Sequence, residues 1–251
     1  MALILSLETS TTICSAALHD NGKLLASKEL LTPQSASSQL APIIDQLLKA
    51  SKISPKQINA IAVASGPGSY TGLRIGVATA KGICFALQIP LIAINTLELM
   101  SYQVVNSFTS PSPLERGLGL PAEGQFGPQA GGEVGEVLLC PMLDARRMEV
   151  YCLLTDFDLN IVEPTQAKII DEGSFNEWLE KSIIYFFGNG ADKCRETIKH
   201  PNAKFIERIT PSSIQLGEMA FPKFSKNEFE GLSSFEPHYL KEFIVKKPKT
   251  V

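Results

Sequence analysis

The stretch Leu3-Ile-Leu-Ser-Leu-Glu-Thr-Ser-Thr-Thr-Ile-Cys-Ser-Ala-Ala-Leu-His-Asp-Asn-Gly22 reads as two strands joined by a polar turn. Leu3 to Leu7 is a buried strand, Glu8-Thr9-Ser10-Thr11 the turn, and about Ile13 to Leu18 the second strand. Asn21-Gly22 is a strong two-residue hairpin signal, so a third strand from about Lys23 to Leu31 completes an antiparallel meander. Working outward, Leu40, Ile43, Ile44, Leu47 and Leu48 form the stripe of one buried helix face. Pro42 falls in the first turn if Ser38 caps that helix, and inside it if the helix starts earlier. Ile58 to Ala64 is a buried strand. Gly66-Pro67-Gly68-Ser69-Tyr70-Thr71-Gly72 leads into a helix to about Leu87, then come a strand Leu91 to Ile94 and a helix to about Val104. The order β-β-β-α-β-α-β-α places a parallel crossover after a meander, which predicts a mixed sheet flanked by helices.

Ser107 to Glu136 differs in kind. Eleven of its 30 residues are Gly or Pro, above the roughly 25–30% that marks low-complexity sequence. It reads as a flexible surface insertion, with a functional lid as the rival. Domain boundaries follow: an N-terminal lobe at 1–106, the insertion at 107–136, and a C-terminal lobe with its tail at 137–251. In the last, Val137 to Leu143 and Glu149 to Leu154 form a hairpin. Ser174 to Lys181 is a helix, Ile183 to Phe187 a strand, and Gly188 onward a helix ending near Ile198. Lys204 to Ile206 is a short strand, and a final helix from Ser212 is expected to stop at Pro222.

Net charge is −3 over 251 residues, which excludes gripping nucleic acid by charge alone. The longest apolar run, Ile83 to Ile94, is broken by Gln88 and Pro90 and falls short of the roughly 20 residues that span a bilayer. No basic region precedes the apolar start, so no signal peptide is expected. Five cysteines without a Cys-x-x-Cys pair predict reduced, buried thiols and a cytoplasmic protein. Three scattered histidines, His19, His200 and His238, give a metal centre or a Ser-His-Asp triad little to work with. No metal and no cofactor are expected.

Two segments carry candidate phosphate or nucleotide contacts. Glu8, Thr9 and Ser10 offer an acid and hydroxyls at a strand end, or a turn that satisfies its own backbone. Gly66, Gly68 and Ser69 lie between a strand and a helix N-terminus, where amides favour an anion, or where glycine permits close packing. The segment lacks the Lys of a P-loop and the glycine spacing of the dinucleotide fingerprint. Gly72, Gly76 and Ala80 leave one helix face nearly bare, for the chain's own core or for a partner helix. Arg74 in the first turn, where the macrodipole disfavours a cation, calls for an acidic partner. Asp144, Arg146 and Glu149 form either a catalytic cluster or a surface ion network. The basic tail with Lys246, Lys247 and Lys249 is a frayed terminus or an RNA contact.

Leu5-Ser-Leu-Glu-Thr-Ser-Thr-Thr-Ile-Cys-Ser-Ala-Ala-Leu18 and Ser65-Gly-Pro-Gly-Ser-Tyr-Thr-Gly-Leu-Arg-Ile-Gly76 together resemble the TsaB family of bacteria, the second being the more specific. Leu143-Asp-Ala-Arg-Arg-Met-Glu-Val-Tyr151, Gly188-Asn-Gly-Ala191 and Pro237-His-Tyr-Leu-Lys241 are similar to later family motifs. Several relatives have Gly in the 146–148 turn, where this chain has Arg147-Met148.

The resemblance implies an α/β, two-lobed actin/sugar-kinase/Hsp70-like (ribonuclease H-like) fold, with mixed sheets flanked by helices and lobes of similar topology. It implies a non-catalytic scaffold that pairs with TsaD in making N6-threonylcarbamoyladenosine at position 37 of tRNAs reading codons that start with A. TsaE, an ATPase, joins the pair, contact with tRNA is indirect or weak, and the chain alone forms a homodimer. The partner surface is then expected at Leu40, Ile43, Ile44, Leu47, Gly72, Arg74, Gly76, Val77 and Ala80. The rival is a stand-alone ATP-dependent small-molecule kinase of the same superfamily, using Glu8 and the glycine turn.

Overall fold

The computed structural model describes residues 2–31, 36–109 and 136–241. Most of the Gly/Pro-rich stretch, 110–135, and the basic tail from 242 lie outside the described residues. Strands β1 (Leu3–Glu8), β2 (Cys14–Asp20) and β3 (Lys23–Leu30) form the expected meander. Asn21 and Gly22 make the hairpin turn, both with positive φ. Helix α1 (Ala36–Ala50), strand β4 (Ala60–Gly66), helix α2 (Tyr70–Leu87), strand β5 (Leu91–Asn95) and helix α3 (Thr96–Thr109) follow. β4 runs parallel to β1 and β5 parallel to β4, so the first sheet has the order β3-β2-β1-β4-β5. Pro42 sits inside α1, on its exposed face, so the bond it forfeits lies on the solvent side.

The second sheet comprises β6 (Val137–Asp144), β7 (Glu149–Thr155), β8 (Ile161–Ile169), β9 (Ile183–Phe187) and β10 (Ala203–Ile206), with the short helix α4 (Asn176–Leu179) before β9. Its order is β10-β9-β6-β7-β8. Numbered within its own lobe, each sheet runs third, second, first, fourth, fifth. Two lobes of one topology are what the expected fold class requires.

Three elements depart from expectation. β8 carries no period-2 pattern and contains Pro164. It is an edge strand, where a missing donor and a shifted register are tolerated. The helix expected after Gly188 reduces to a single 3-10 turn at Asp192–Cys194. Helix α5 (Ser213–Ser225) runs past Pro222 instead of stopping there. Its Leu216 and Ala220 are buried with Ile4, Ala62, Ile92 and Ile94, and that packing outweighs one lost intrahelical bond.

α5 also crosses the boundary drawn at residue 137. Although it follows the second sheet in sequence, it packs on β1, β2 and β5 of the first, and its Ser213 amide donates to Ser15 Oγ at 3.2 Å. α3 crosses the other way: Leu97, Met100 and Val104 are buried among Leu139, Leu153 and Phe187 of the second sheet. The lobes thus exchange covering helices. No helix among the described residues is long and apolar enough to cross a membrane.

α5 approaches the sheet closely enough to touch the His19 ring. A Cβ built on Gly217 would stand 2.1 Å from His19 Nδ1, and His19 has no exposed surface into which to retreat. A Cβ on Gly82, near the end of α2, would meet nothing within 4 Å. Gly217→Ala is therefore expected to destabilise the chain by about 1–3 kcal/mol. Gly82→Ala should stabilise it by up to about 1 kcal/mol, both read from urea unfolding.

Candidate functional site

β1 and β4 are parallel neighbours, so their C-terminal ends lie side by side. The two candidate segments, 58 residues apart when counted from Ser10 to Gly68, therefore meet. They meet by direct contact. The Ser69 amide donates to the Ser10 carbonyl at 2.6 Å, and the Thr9 hydroxyl donates to the Gly72 carbonyl at 2.8 Å. Ser69 Oγ caps α2 by accepting from the Gly72 amide at 3.3 Å. A Cβ on Gly68 would lie 2.4 Å from the Ser10 carbonyl oxygen. One on Gly72 would lie 2.0 Å from the Thr9 carbonyl oxygen, and one on Gly76 2.2 Å from Thr9 Oγ1. Gly66 faces the His238 carbonyl, 3.0 Å from its own Cβ position.

These distances decide the readings left open. The glycines permit close backbone approach, and Thr9 and Ser10 occupy the concavity at the start of α2 where an anion would sit. Ser69 and Gly72 spend their amides within the chain. Glu8, Thr9, Ser10, Gly68 and Ser69 thus meet at one joint, in which the Ser69 and Gly72 amides bond within the chain, with Gly66 beside His238.

Glu8 is fully buried. Its Oε1 accepts from the Ser10 amide at 2.5 Å, while Oε2 has no hydrogen-bond partner among the described residues. Burial pushes its pKa up to about 7, opposed by Ser10 and by the Thr9 amide. Burial also raises the neighbouring Cys14 thiol to about 11, with Glu8 adding to the effect, so this thiol is not a nucleophile at neutral pH.

Most of the expected partner surface lies inside the first lobe. Leu40, Ile43, Ile44 and Leu47 are at most 8% exposed and pack with Leu5, Leu7, Val63, Val77 and Ala80 in the first lobe's core. Gly72 and Gly76 press on Thr9. None of these residues is exposed in the chain. Arg74 is exposed, but its guanidinium bonds the Tyr70 hydroxyl at 3.0 Å and lies over that ring, with no acidic partner among the described residues. The outward face of α2 carries Thr71, Arg74, Ala78, Gly82, Phe85 and Ala86, and Phe85 is 72% exposed. A second line of small residues at 78, 82 and 86 was thus legible at helical spacing beside the line at 72, 76 and 80.

Asp144, Arg146 and Glu149 sit on the β6–β7 hairpin within an ion network. Lys193 donates to the Asp144 carboxylate and to the Arg147 and Glu149 carbonyls, the latter two at 2.6 and 2.7 Å. Lys241 pairs with the Glu149 carboxylate. Arg146 and Arg147 both adopt positive φ, the strained form of a turn that glycine would relax. A cavity of about 370 Å³ is built from second-lobe residues, among them Glu172, Asn176 and His200, and involves none of the candidate residues. All five cysteines are free and buried, and no three potential metal ligands gather among the described residues.

The Glu8 environment makes a signed prediction. A raised carboxyl pKa favours the folded state while protonated. That contribution is complete below the ordinary value of 4.5 and is lost as pH rises through about 7. Glu8→Gln keeps an acceptor for the Ser10 amide and removes the ionisation. Its stability relative to the unmodified chain should therefore rise from about pH 4 to about pH 8, by roughly 2–3 kcal/mol in urea unfolding. His19, lowered to about 4 chiefly by burial, acts in the opposite sense but is common to both proteins.

With this geometry in hand, comparison with known proteins is informative. A family model described as "TsaD: tRNA N6-adenosine threonylcarbamoyltransferase" matches residues 31–114. The tRNA threonylcarbamoyladenosine biosynthesis protein TsaB of Escherichia coli (strain K12) is 38% identical over 98 residues, 39% of this chain and 42% of that protein. Its namesake from Bacillus subtilis (strain 168) is 29% identical over 180 residues, 70% of this chain and 64% of that protein. In both cases the match spans less than two thirds of the relative. YeaZ from Pseudomonas aeruginosa superposes with a TM-score of 0.72 at 21% identity, covering 96% of this chain and all of that one, a likeness of fold. The chain is thus similar to TsaB proteins over part of their length and to YeaZ in fold.

Proposed function

We propose that this chain takes part in making threonylcarbamoyladenosine in tRNA, as a non-catalytic scaffold that pairs with TsaD. The modified base is adenosine 37 of tRNAs reading codons that start with A. The observation that carries this reading is the division of labour on α2. Its inner face closes against Thr9 and removes the room a phosphate would need. Its outer face presents Phe85 beside Ala78 and Gly82, a shallow apolar strip that suits another helix. The names of the relatives support the pathway. That TsaD is the partner, that TsaE joins the pair and that tRNA is touched only indirectly are parts of the proposal. A self-paired homodimer through the same strip is the expected state without TsaD.

The kinase alternative needs a phosphate cradle and an ionised acid. Glu8 is buried with its pKa pushed up to about 7, and the glycine turn presses on Thr9 and Ser10, so the geometry favours the scaffold.

Mixing the chain with TsaD from the same source, followed by size-exclusion chromatography with light scattering, should give a 1:1 complex. Phe85→Asp should weaken that complex by about tenfold or more while leaving circular dichroism unchanged. Gly76→Leu should instead damage the fold, because its side chain would strike Thr9. A complex indifferent to Phe85→Asp places docking elsewhere. Heat of ATP binding to the isolated chain in calorimetry would revive the kinase.

A further inference from the structure

The segment after α5 crosses from the first lobe to the second with two unlike halves. Its inner half is firmly seated. The Glu230 amide donates to the Leu91 carbonyl at 2.9 Å, extending the first sheet beyond β5. Leu232 and Phe235 pack on the first lobe's core, and Lys81 of α2 bonds the Phe235 carbonyl at 2.9 Å. The outer half is held lightly. The His238 amide donates to the Ser65 carbonyl at 2.7 Å, and the Tyr239 ring lies 4.9 Å from that of Tyr70. Lys241 then reaches the second lobe. There it bonds the Ala145 carbonyl at 3.2 Å and the Glu149 carboxylate, with its ammonium 5.9 Å from the Tyr151 ring centre.

We infer that residues 236–241 are a releasable latch. The latch covers the glycine turn and couples the β6–β7 hairpin of the second lobe to the N-terminal end of α2 in the first. A partly exposed ion pair and a tilted aromatic contact are weak, so this half opens before the lobes do. Opening uncovers Gly66 and Tyr70 while leaving Leu232 and Phe235 in place. The latch ends beside the first turn of the helix whose outer face carries Phe85, so its state bears on one end of that face. The inference stands on intramolecular contacts alone and holds whichever partner α2 takes.

Hydrogen–deuterium exchange on the full chain tests it, followed in peptides covering 64–72 and 144–151. Lys241→Met removes the second-lobe anchor without touching the first lobe. Exchange should quicken by about tenfold in both peptides together, with the α5 and β4 cores unchanged. About 1 M salt should move the unmodified chain toward the same pattern, because it screens the exposed pair. A chain ended after Phe235 should show the full effect. If that shorter chain does not fold, Lys241→Met decides. An unchanged 64–72 peptide in Lys241→Met, or quickening confined to the hairpin, would overturn the inference, since a local anchor would then hold only its own turn.

Discussion

The joint between Thr9-Ser10 and Gly68-Gly72-Gly76 is the contact on which the first lobe depends. Parallel pairing of β1 with β4 places two turns at the same sheet edge, and each supplies what the other lacks. The Ser10 carbonyl accepts the Ser69 amide, and the Thr9 hydroxyl meets the Gly72 carbonyl. Such closeness requires glycine at three positions, since a side chain at any of them would enter the Thr9-Ser10 backbone or hydroxyl. The joint sets the entry of α2, and α2 in turn helps bury the stripe from Leu40 to Leu47.

The same closeness shapes function. A strand-to-helix turn with exposed amides is a natural anion site. Here the Ser69 amide bonds the neighbouring turn and the Gly72 amide bonds Ser69 Oγ, while burial of the nearby acid raises its pKa. The reverse side of α2 carries Phe85 exposed, with small residues flanking it. A helix that has closed its inner face completely is a rigid platform for its outer one.

The lobes are joined by trading coverings. α3 bridges the two sheets, with Leu99 in the first lobe's core and Leu97, Met100 and Val104 in the second's, while α5 lies on the first. Apolar burial of this kind resists separation, and the polar ties Asn95–Thr165 and Ser213–Ser15 add direction more than strength. Flexibility is therefore left to the rim, where the segment through His238 and Lys241 spans the junction on surface contacts.

Local signals were enough for much of this. The Asn21-Gly22 turn marked the meander, helical periodicity marked α1, and the glycine motif marked the turn into α2 and the family resemblance. β8 was illegible because an edge strand with Pro164 needs no alternating pattern. The run of α5 past Pro222 was illegible because tertiary burial of Leu216 and Ala220 overrides a local breaker. The candidate surface was half legible. The sequence alone determined that α2 has small residues at helical spacing along two lines, 72-76-80 and 78-82-86. Only the tertiary structure decided which line is inside, because spacing defines faces relative to one another, whereas burial depends on where the β1–β2 turn comes to lie. The latch was likewise beyond reach, since Lys241 finds Ala145 and Glu149 only after both sheets have formed.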